Sequence, residues 1–480
     1  MPAESSSNAR EVEAVCSIGC VLVNVPLRRN TMTTSPGTPR PTMPEGSPPE
    51  DRAPGPVEPV ALGIDAATLA ALERLRERHG NLVEITQPGG RPAFFVNDAA
   101  EVRSLLVRRH GRYRKGPGFE RVKMLLGNGL IVSDGATWRR SRTMVQPAFA
   151  RSAIHRLVPV MEECARQVGR TFAAAADAGE PVNVTQETSR FALELILRSI
   201  FGADYERRLL ARGTNPFAFL SEDPSRDLRV VMRVRELREL LLEIVAERRT
   251  AEMAEPYDFL SVYLQARDKS GRGFTDQELL DELVTLIVAG YETSAGTLNW
   301  AWYLLAGHPE VRARLVREAR EKIGSPVAFE SLADMHYTQA LLEETLRLYP
   351  PVWLFTRRAT EADSIGPYPI AEGTDIYLSP YILHRTPMYW EDAERFDPRR
   401  FGESAPYAKG ERPFFPFSLG PRRCLGEYFS FLEMKIHMGL LAPQFELRRI
   451  DEEPPGLDLG INLRSANDIM LRVTRCSPGR

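Results

Sequence analysis

Near the end of the chain, residues 415–426 read FPFSLGPRRCLG, with one cysteine, Cys424, set among glycines, prolines, arginines and aromatics. An amphipathic run, LGEYFSFLEMKIHMGLLAPQF, follows it. A cysteine at a helix N-terminus meets free backbone N–H groups and the positive end of the helix dipole, both of which favour thiolate. Gly420 and Gly426 allow backbone to approach a large flat ligand, Phe417 can pack on that ligand's face, and Arg422 can meet a carboxylate on its edge. A thiolate ligand to haem iron needs this set: a stabilised anion, donors to the sulfur, and a cation for a propionate. A buried, inert cysteine after a loop is the plainer reading of a lone Cys.

Other residues could serve the same chemistry from a distance. In AGYET, Ala289, Gly290, Tyr291, Glu292 and Thr293 lie in the middle of a long helical run starting near Asp276. Glycines at 290 and 296 are poor helix-interior residues, and Thr293 can return its hydroxyl to an upstream carbonyl. Small residues for helix packing would leave the same trace. LLEETLRLYPP carries Glu344 and Arg347 as i,i+3 neighbours, which in isolation would be a surface ion pair. WEDAERFDPRRF follows with Arg395. ATWRRSRTMVQPAF places Trp138 and Arg142 about one turn apart, an aromatic N–H and a guanidinium suited to a carboxylate. In VWLFTRRAT, strand alternation turns only one of Arg357 and Arg358 inward, and the spacing to Ile365 selects Arg357.

Phe417, Gly420, Arg422, Cys424 and Gly426 fit F-x-x-G-x-R-x-C-x-G, and with this pattern the chain resembles the cytochrome P450 family. The resemblance runs through most of residues 60–480 as an ordered set of motifs. It implies a single-domain, mainly α fold with small β-sheets, holding haem b between a long central helix and the cysteine loop. Cys424 would be the axial ligand to iron, and Trp138, Arg142, Arg357 and Arg422 would hold the propionates. Ala289 and Gly290 would leave room for dioxygen, while Glu292 and Thr293 would manage protons. Glu344, Arg347 and Arg395 would form a network fixing the cysteine loop, with His384 and Arg385 structural or at the haem edge. Substrate contacts would come from the loop around 115–132, the region near 215–232 and the turn after Pro351. Val288, Ala289, Val352, Leu354, Phe355 and Ile461 are candidate wall residues, equally compatible with core packing.

The implied reaction inserts one atom of O2 into a small hydrophobic molecule by hydroxylation or epoxidation. Electrons would come from a separate ferredoxin or flavodoxin-type donor with its NAD(P)H reductase, because the chain leaves no room for a fused reductase. Arg139, Arg140 and Arg423 could offer that donor a basic surface. A haem-thiolate peroxygenase or isomerase is one alternative, which the acid–alcohol pair disfavours. A non-enzymatic haem sensor is another, for which a proton relay would be superfluous.

The rest of the chain must position these groups. Its 480 residues are 43% hydrophobic and 26% charged, and 62 Lys plus Arg stand against 64 Asp plus Glu, a net charge of −2. That balance gives no global argument for nucleic acid. Five irregularly spaced cysteines (16, 20, 164, 424 and 476) oppose a disulfide framework and favour a reducing cytoplasm. No stretch is long and apolar enough to span a bilayer. Residues 1–59, rich in Pro, Ser, Thr and Gly, read as a flexible tail with alternative starts at Met32 or Met43, and 60–480 as the haem domain. The run from Asp65 reads as an amphipathic helix ending at Gly80. Two β-like runs joined at Pro88, Gly89 and Gly90 come next, then mostly helix, with strands returning at 367–380 and in the last 40 or so residues.

Overall fold

The computed structural model describes residues 52–209, 228–250, 257–402, 412–451 and 453–477. Most of the expected tail, both candidate starts, Cys16, Cys20 and residues 210–227 of the expected substrate region lie outside them. The last part of that tail is described, and it runs along the first strand. Val60 N–H donates to Thr86 O and Glu84 N–H to Pro54 O.

The helices are α1 (Ala66–His79), α2 (Phe119–Leu126), α3 (Gly135–Val145), α4 (Val158–Ala178), α5 (Val184–Phe201), α6 (Leu228–Thr250), α7 (Phe259–Gln265), α8 (Asp276–Ala306), α9 (Pro309–Lys322), α10 (His336–Leu348) and α11 (Glu427–Leu441). Asp65 caps α1 by accepting from Thr68 N–H, and Gly80 ends it at φ +93°. At the start of α8, Thr275 and Glu278 form a reciprocal capping box.

A five-stranded sheet takes the order β1-β2-β8-β5-β3, from Leu82–Gln87, Arg91–Val96, Asp375–Leu378, Phe355–Ala359 and Tyr113–Lys115. All neighbours are antiparallel except β2 and β8. Its first hairpin turns through Gly89 and Gly90 at φ +83° and +77°. A second sheet orders β4 (Pro181–Asn183), β12 (Met470–Arg475) and β9 (Phe445–Arg449). Two hairpins, β6–β7 (Asp363–Ile365, Tyr368–Ile370) and β10–β11 (Leu457–Leu459, Leu463–Ser465), complete the strands.

The helix α8 is buried nearly all round, among them Trp300, Trp302, Leu298 and Leu305, and packs closely on α5. A Cβ at Gly290 would lie 2.8 Å from Ile196 of α5. Gly290 therefore serves the close approach of the two helices. From Leu286 to Gly296 the accessible residues of α8 are Leu286, Val288, Ala289, Gly290, Thr293 and Gly296, and all but Val288 share one helix face. A mostly buried helix with one accessible stripe borders a hollow.

Candidate haem-thiolate site

The loop that carries Cys424 is seated largely by groups far upstream. Ser418 and Gly420 adopt φ +60° and +68°, and a Cβ at Gly420 would fall 2.2 Å from Leu106 O. Glycine is thus required there by close approach to backbone, not by a flat ligand. Phe415 N–H donates to His384 Nε2 at 3.0 Å, and burial drives the His384 pKa well below its ordinary value, with Arg347 adding to the effect. His384 is thus neutral and acts as an acceptor to the loop. Arg142 donates to Arg423 O at 2.8 Å, so this expected propionate residue also braces the loop. Cys424 N–H closes the turn on Phe417 O, and Phe417 stacks obliquely on Phe431 of α11, centroids 5.4 Å apart.

Cys424 is accessible to solvent just before α11, although many protein atoms surround it. Burial pushes its pKa up; the N–H groups of Gly426 and Glu427 and the Arg142 cation act in the opposite direction. The groups expected to favour thiolate are thus present, and they act against the cost of desolvation.

A cluster of cations lies beside the loop. Arg357 points inward and Arg358 pairs outward with Asp375, at 2.6 Å, as alternation along β5 requires. Burial lowers Arg357 to about 10, and Arg422 adds to this while Asp134 opposes it. Arg422 stacks over Trp138, 4.4 Å from its ring centroid, and pairs with Asp134. Lys115, opposite Arg357 in the β3–β5 register, is driven well below its usual pKa by burial and then by Arg357 and Arg422. Lys115 was not legible from the sequence. Its one signal, a lysine in a short strand beside two arginines, needed the strand pairing to be known. Lys115, Arg357 and Arg422 thus crowd around one carboxylate, Asp134, an excess of basic groups that suits an anionic ligand.

Behind the loop lies a closed network. Arg347 forms a fork to Glu344 at 2.7 and 2.8 Å, and both side chains are fully buried. Arg347 also donates to the carbonyls of His384, Ala393 and Arg395, at 2.9, 2.6 and 3.1 Å, and Glu344 accepts from Asp397 N–H at 2.8 Å. The expected third side chain is corrected here. Arg395 is exposed and contributes only its carbonyl, while Arg400 approaches Glu344 to 3.5 Å. The short turn Pro398–Phe401 rotates Arg400 inward.

On α8, Thr293 Oγ1 donates to Ala289 O at 2.9 Å. Glu292, 8% exposed, lies 3.8 Å from Arg464 of β11, which is 29% exposed and bonds Asp458 at 2.6 Å; Asp458 is 46% exposed. The three form a graded path from buried acid to solvent. Among the wall candidates, Val288 and Leu354 pack on the main core, Val352 and Phe355 on the core of the five-stranded sheet, and Ile461 lies half exposed at the β10–β11 turn. Phe355 faces Phe415 edge-on at 5.9 Å, so it buttresses the cysteine loop. Arg385 stacks on Tyr381 at 3.8 Å. Of the expected docking arginines, Arg139 is exposed and Arg423 pairs with Glu427. Arg140 is consumed by Asp268, Glu278 and Gly273 O, and so is corrected from docking to structural.

The family model described as Cytochrome P450 matches residues 61–467. The chain belongs to the cytochrome P450 family. Curated relatives include cyclooctatin synthase of Streptomyces melanosporofaciens, 31% identical over 78% of this chain and 84% of the relative. Pentalenene oxygenase of Streptomyces avermitilis is 28% identical over 84% and 92%. Among solved structures, the haem domain of cytochrome P450DA superposes with a TM-score of 0.77 at 25% identity, covering 86% of this chain and 93% of that one. The protein is thus a cytochrome P450 monooxygenase with haem b as cofactor, in the mainly helical P450 fold. Among the described residues no helix is long and apolar enough to cross a membrane.

Proposed function

We propose that the protein oxidises a hydrophobic, largely hydrocarbon small molecule with O2 and electrons from a separate donor. Thr293 on the accessible stripe of α8, next to the buried acid Glu292, carries this reading. Bound haem supplies the binding and activation of dioxygen; the chain supplies the surroundings. Cys424 Sγ is the iron ligand, oriented by the N–H groups of Gly426 and Glu427. Lys115, Arg357 and Arg422, with Trp138 and Arg142, hold the two propionates. Thr293 holds a proton at Oγ1 on the accessible stripe, and Glu292 replenishes it from solvent along the Arg464–Asp458 side. Ala289 and Val288 of α8 with Leu354 and Ile461 are the wall. Relatives named for pentalenene and cyclooctat-9-en-7-ol support a cyclic, unsaturated hydrocarbon skeleton as the substrate class. A ferredoxin-type donor meets exposed Arg139 and Arg423 on the cysteine side, in the cytoplasm.

The test is reconstitution with NAD(P)H, a ferredoxin and its reductase over a panel of cyclic terpenes, against hydrogen peroxide alone. Turnover that requires the donor and shows increased peroxide leakage in Thr293→Ala is the expected outcome. Equal product from peroxide alone, unaffected by Thr293→Ala, would sink the reading.

A further inference from the structure

Two buried acids near the start of α8, Asp281 and Glu282, take no part in the chemistry above. Neighbours on a helix point about 100° apart, yet both carboxylates reach the same stretch, Gly127–Leu130. Asn128 N–H donates to Asp281 Oδ2 at 2.8 Å and Leu130 N–H to Glu282 Oε2 at 3.0 Å. The approach is close enough to demand glycine on either side. A Cβ at Gly127, φ +76°, would fall 2.2 Å from Asp281 Oδ1, and one at Gly129 would fall 2.2 Å from Thr285 Oγ1.

The carboxylates are themselves fixed. Asp281 accepts from Gln277 at 2.7 Å and from Arg238 of α6 at 3.1 Å. Glu282 accepts from the Ser141 hydroxyl of α3, and burial raises its pKa to about 7. Beyond the anchored residues, Val132 and Ser133 N–H turn back onto Gly129 O. Ser133 O then accepts from Arg422 at 3.3 Å. The loop is thus pinned to α8 at one end and to the cation cluster at the other. Anchorage is through backbone N–H, while the side chains of Leu130 and Ile131 are half-buried against the main core; the accessible stripe on α8 begins at Leu286, one turn beyond Glu282.

We propose that Asp281 and Glu282 are positioning residues that clamp residues 127–132 as a fixed wall of the substrate pocket, and so set which substrates fit and how they lie. The proposal rests on the pocket assigned above to the accessible face of α8. Apolar packing in place of these carboxyls would leave the Asn128 and Leu130 N–H groups without acceptors. Two hydrogen bonds spaced two residues apart fix the height and register of one loop.

The test uses the full-length holoprotein. Wild type, Asp281→Asn, Glu282→Leu and Glu282→Gln are compared by amide hydrogen exchange across residues 127–133 and by the Kd of two iron-binding azoles, imidazole and the bulky clotrimazole. Glu282→Leu should speed exchange at least tenfold and shift the clotrimazole Kd at least tenfold, with imidazole changed less than twofold. Asp281→Asn should do the same more weakly, and Glu282→Gln, which keeps an acceptor oxygen, should restore most of both. Unchanged exchange in both Glu282→Leu and Asp281→Asn overturns the clamp. Faster exchange with an unchanged clotrimazole Kd overturns the specificity role. A wild type lacking the thiolate ferrous–CO spectrum would instead remove the underlying haem-pocket reading.

Discussion

Two charged clusters flank the cysteine loop, and they are built on opposite principles. In the Glu344–Arg347 network, cation and carboxylate are matched, and the remaining Arg347 donors meet backbone carbonyls. In the Lys115–Arg357–Arg422 cluster, three basic groups share Asp134, and burial, with mutual repulsion adding to it, lowers both Lys115 and Arg357. A matched cluster is finished when the chain folds. An unmatched one stores repulsion that an anionic ligand relieves, so its imbalance is itself a sign of what binds.

Breaking the matched network should have the largest effect. Arg347→Ala leaves Glu344 buried without its partner and should cost about 3–5 kcal/mol, read as a lowered denaturation midpoint and little ferrous–CO signal at the thiolate position. An unchanged midpoint would show that the network is not a structural unit.

A third buried site sharpens the contrast, because it is satisfied without charge. Glu433 of α11 accepts from Ser294 of α8, and burial raises its carboxyl to about 8. An ordinary Glu titrates near 4.3, so its stabilising contribution is complete below that pH and is lost as pH rises through 8. Thermal stability should fall between about pH 5 and 8 in wild type by a few kcal/mol, and the fall should be shallower in Glu433→Gln. Parallel profiles would place the titration elsewhere.

The unmatched cluster should respond in opposite directions with and without cofactor. Arg357→Met should leave the apoprotein as stable or more stable, because it removes a buried repulsive charge, and should weaken haem retention by about 10–100-fold. Haem transfer to apomyoglobin measures the second effect and apoprotein denaturation the first. Equal destabilisation of both forms would make Arg357 a structural residue.

The smallest effect belongs to Arg395→Ala. Only the carbonyl of residue 395 enters the network, so stability should change by less than about 0.5 kcal/mol, whereas Arg400→Met should cost more. The reverse order would restore the side-chain role read from the sequence.

That reversal of Arg395 and Arg400 marks where sequence reading stops. Helix α1, the first hairpin and α8 were legible because caps, glycines and periodicity are local signals. Cys424 and the choice of Arg357 over Arg358 were legible because motif spacing and strand alternation fix them within a few residues. Arg400, Lys115 and the true tasks of Gly290 and Gly420 were not. Each depends on a partner brought in by tertiary contact: Glu344, Arg357, Ile196 and Leu106 respectively. A glycine in a motif shows that something comes close, but not whether that is a ligand or another backbone.

The seating of the cysteine loop also bears on how the protein is made. Arg422 and Arg423 O reach partners 281 to 289 residues upstream, and Gly420 rests on Leu106. Cys424, the proposed iron ligand, therefore leaves the ribosome after these partners have been made. A nascent fragment ending before Cys424 could not retain the cofactor through this side chain, so capture by it would have to wait until the loop has emerged.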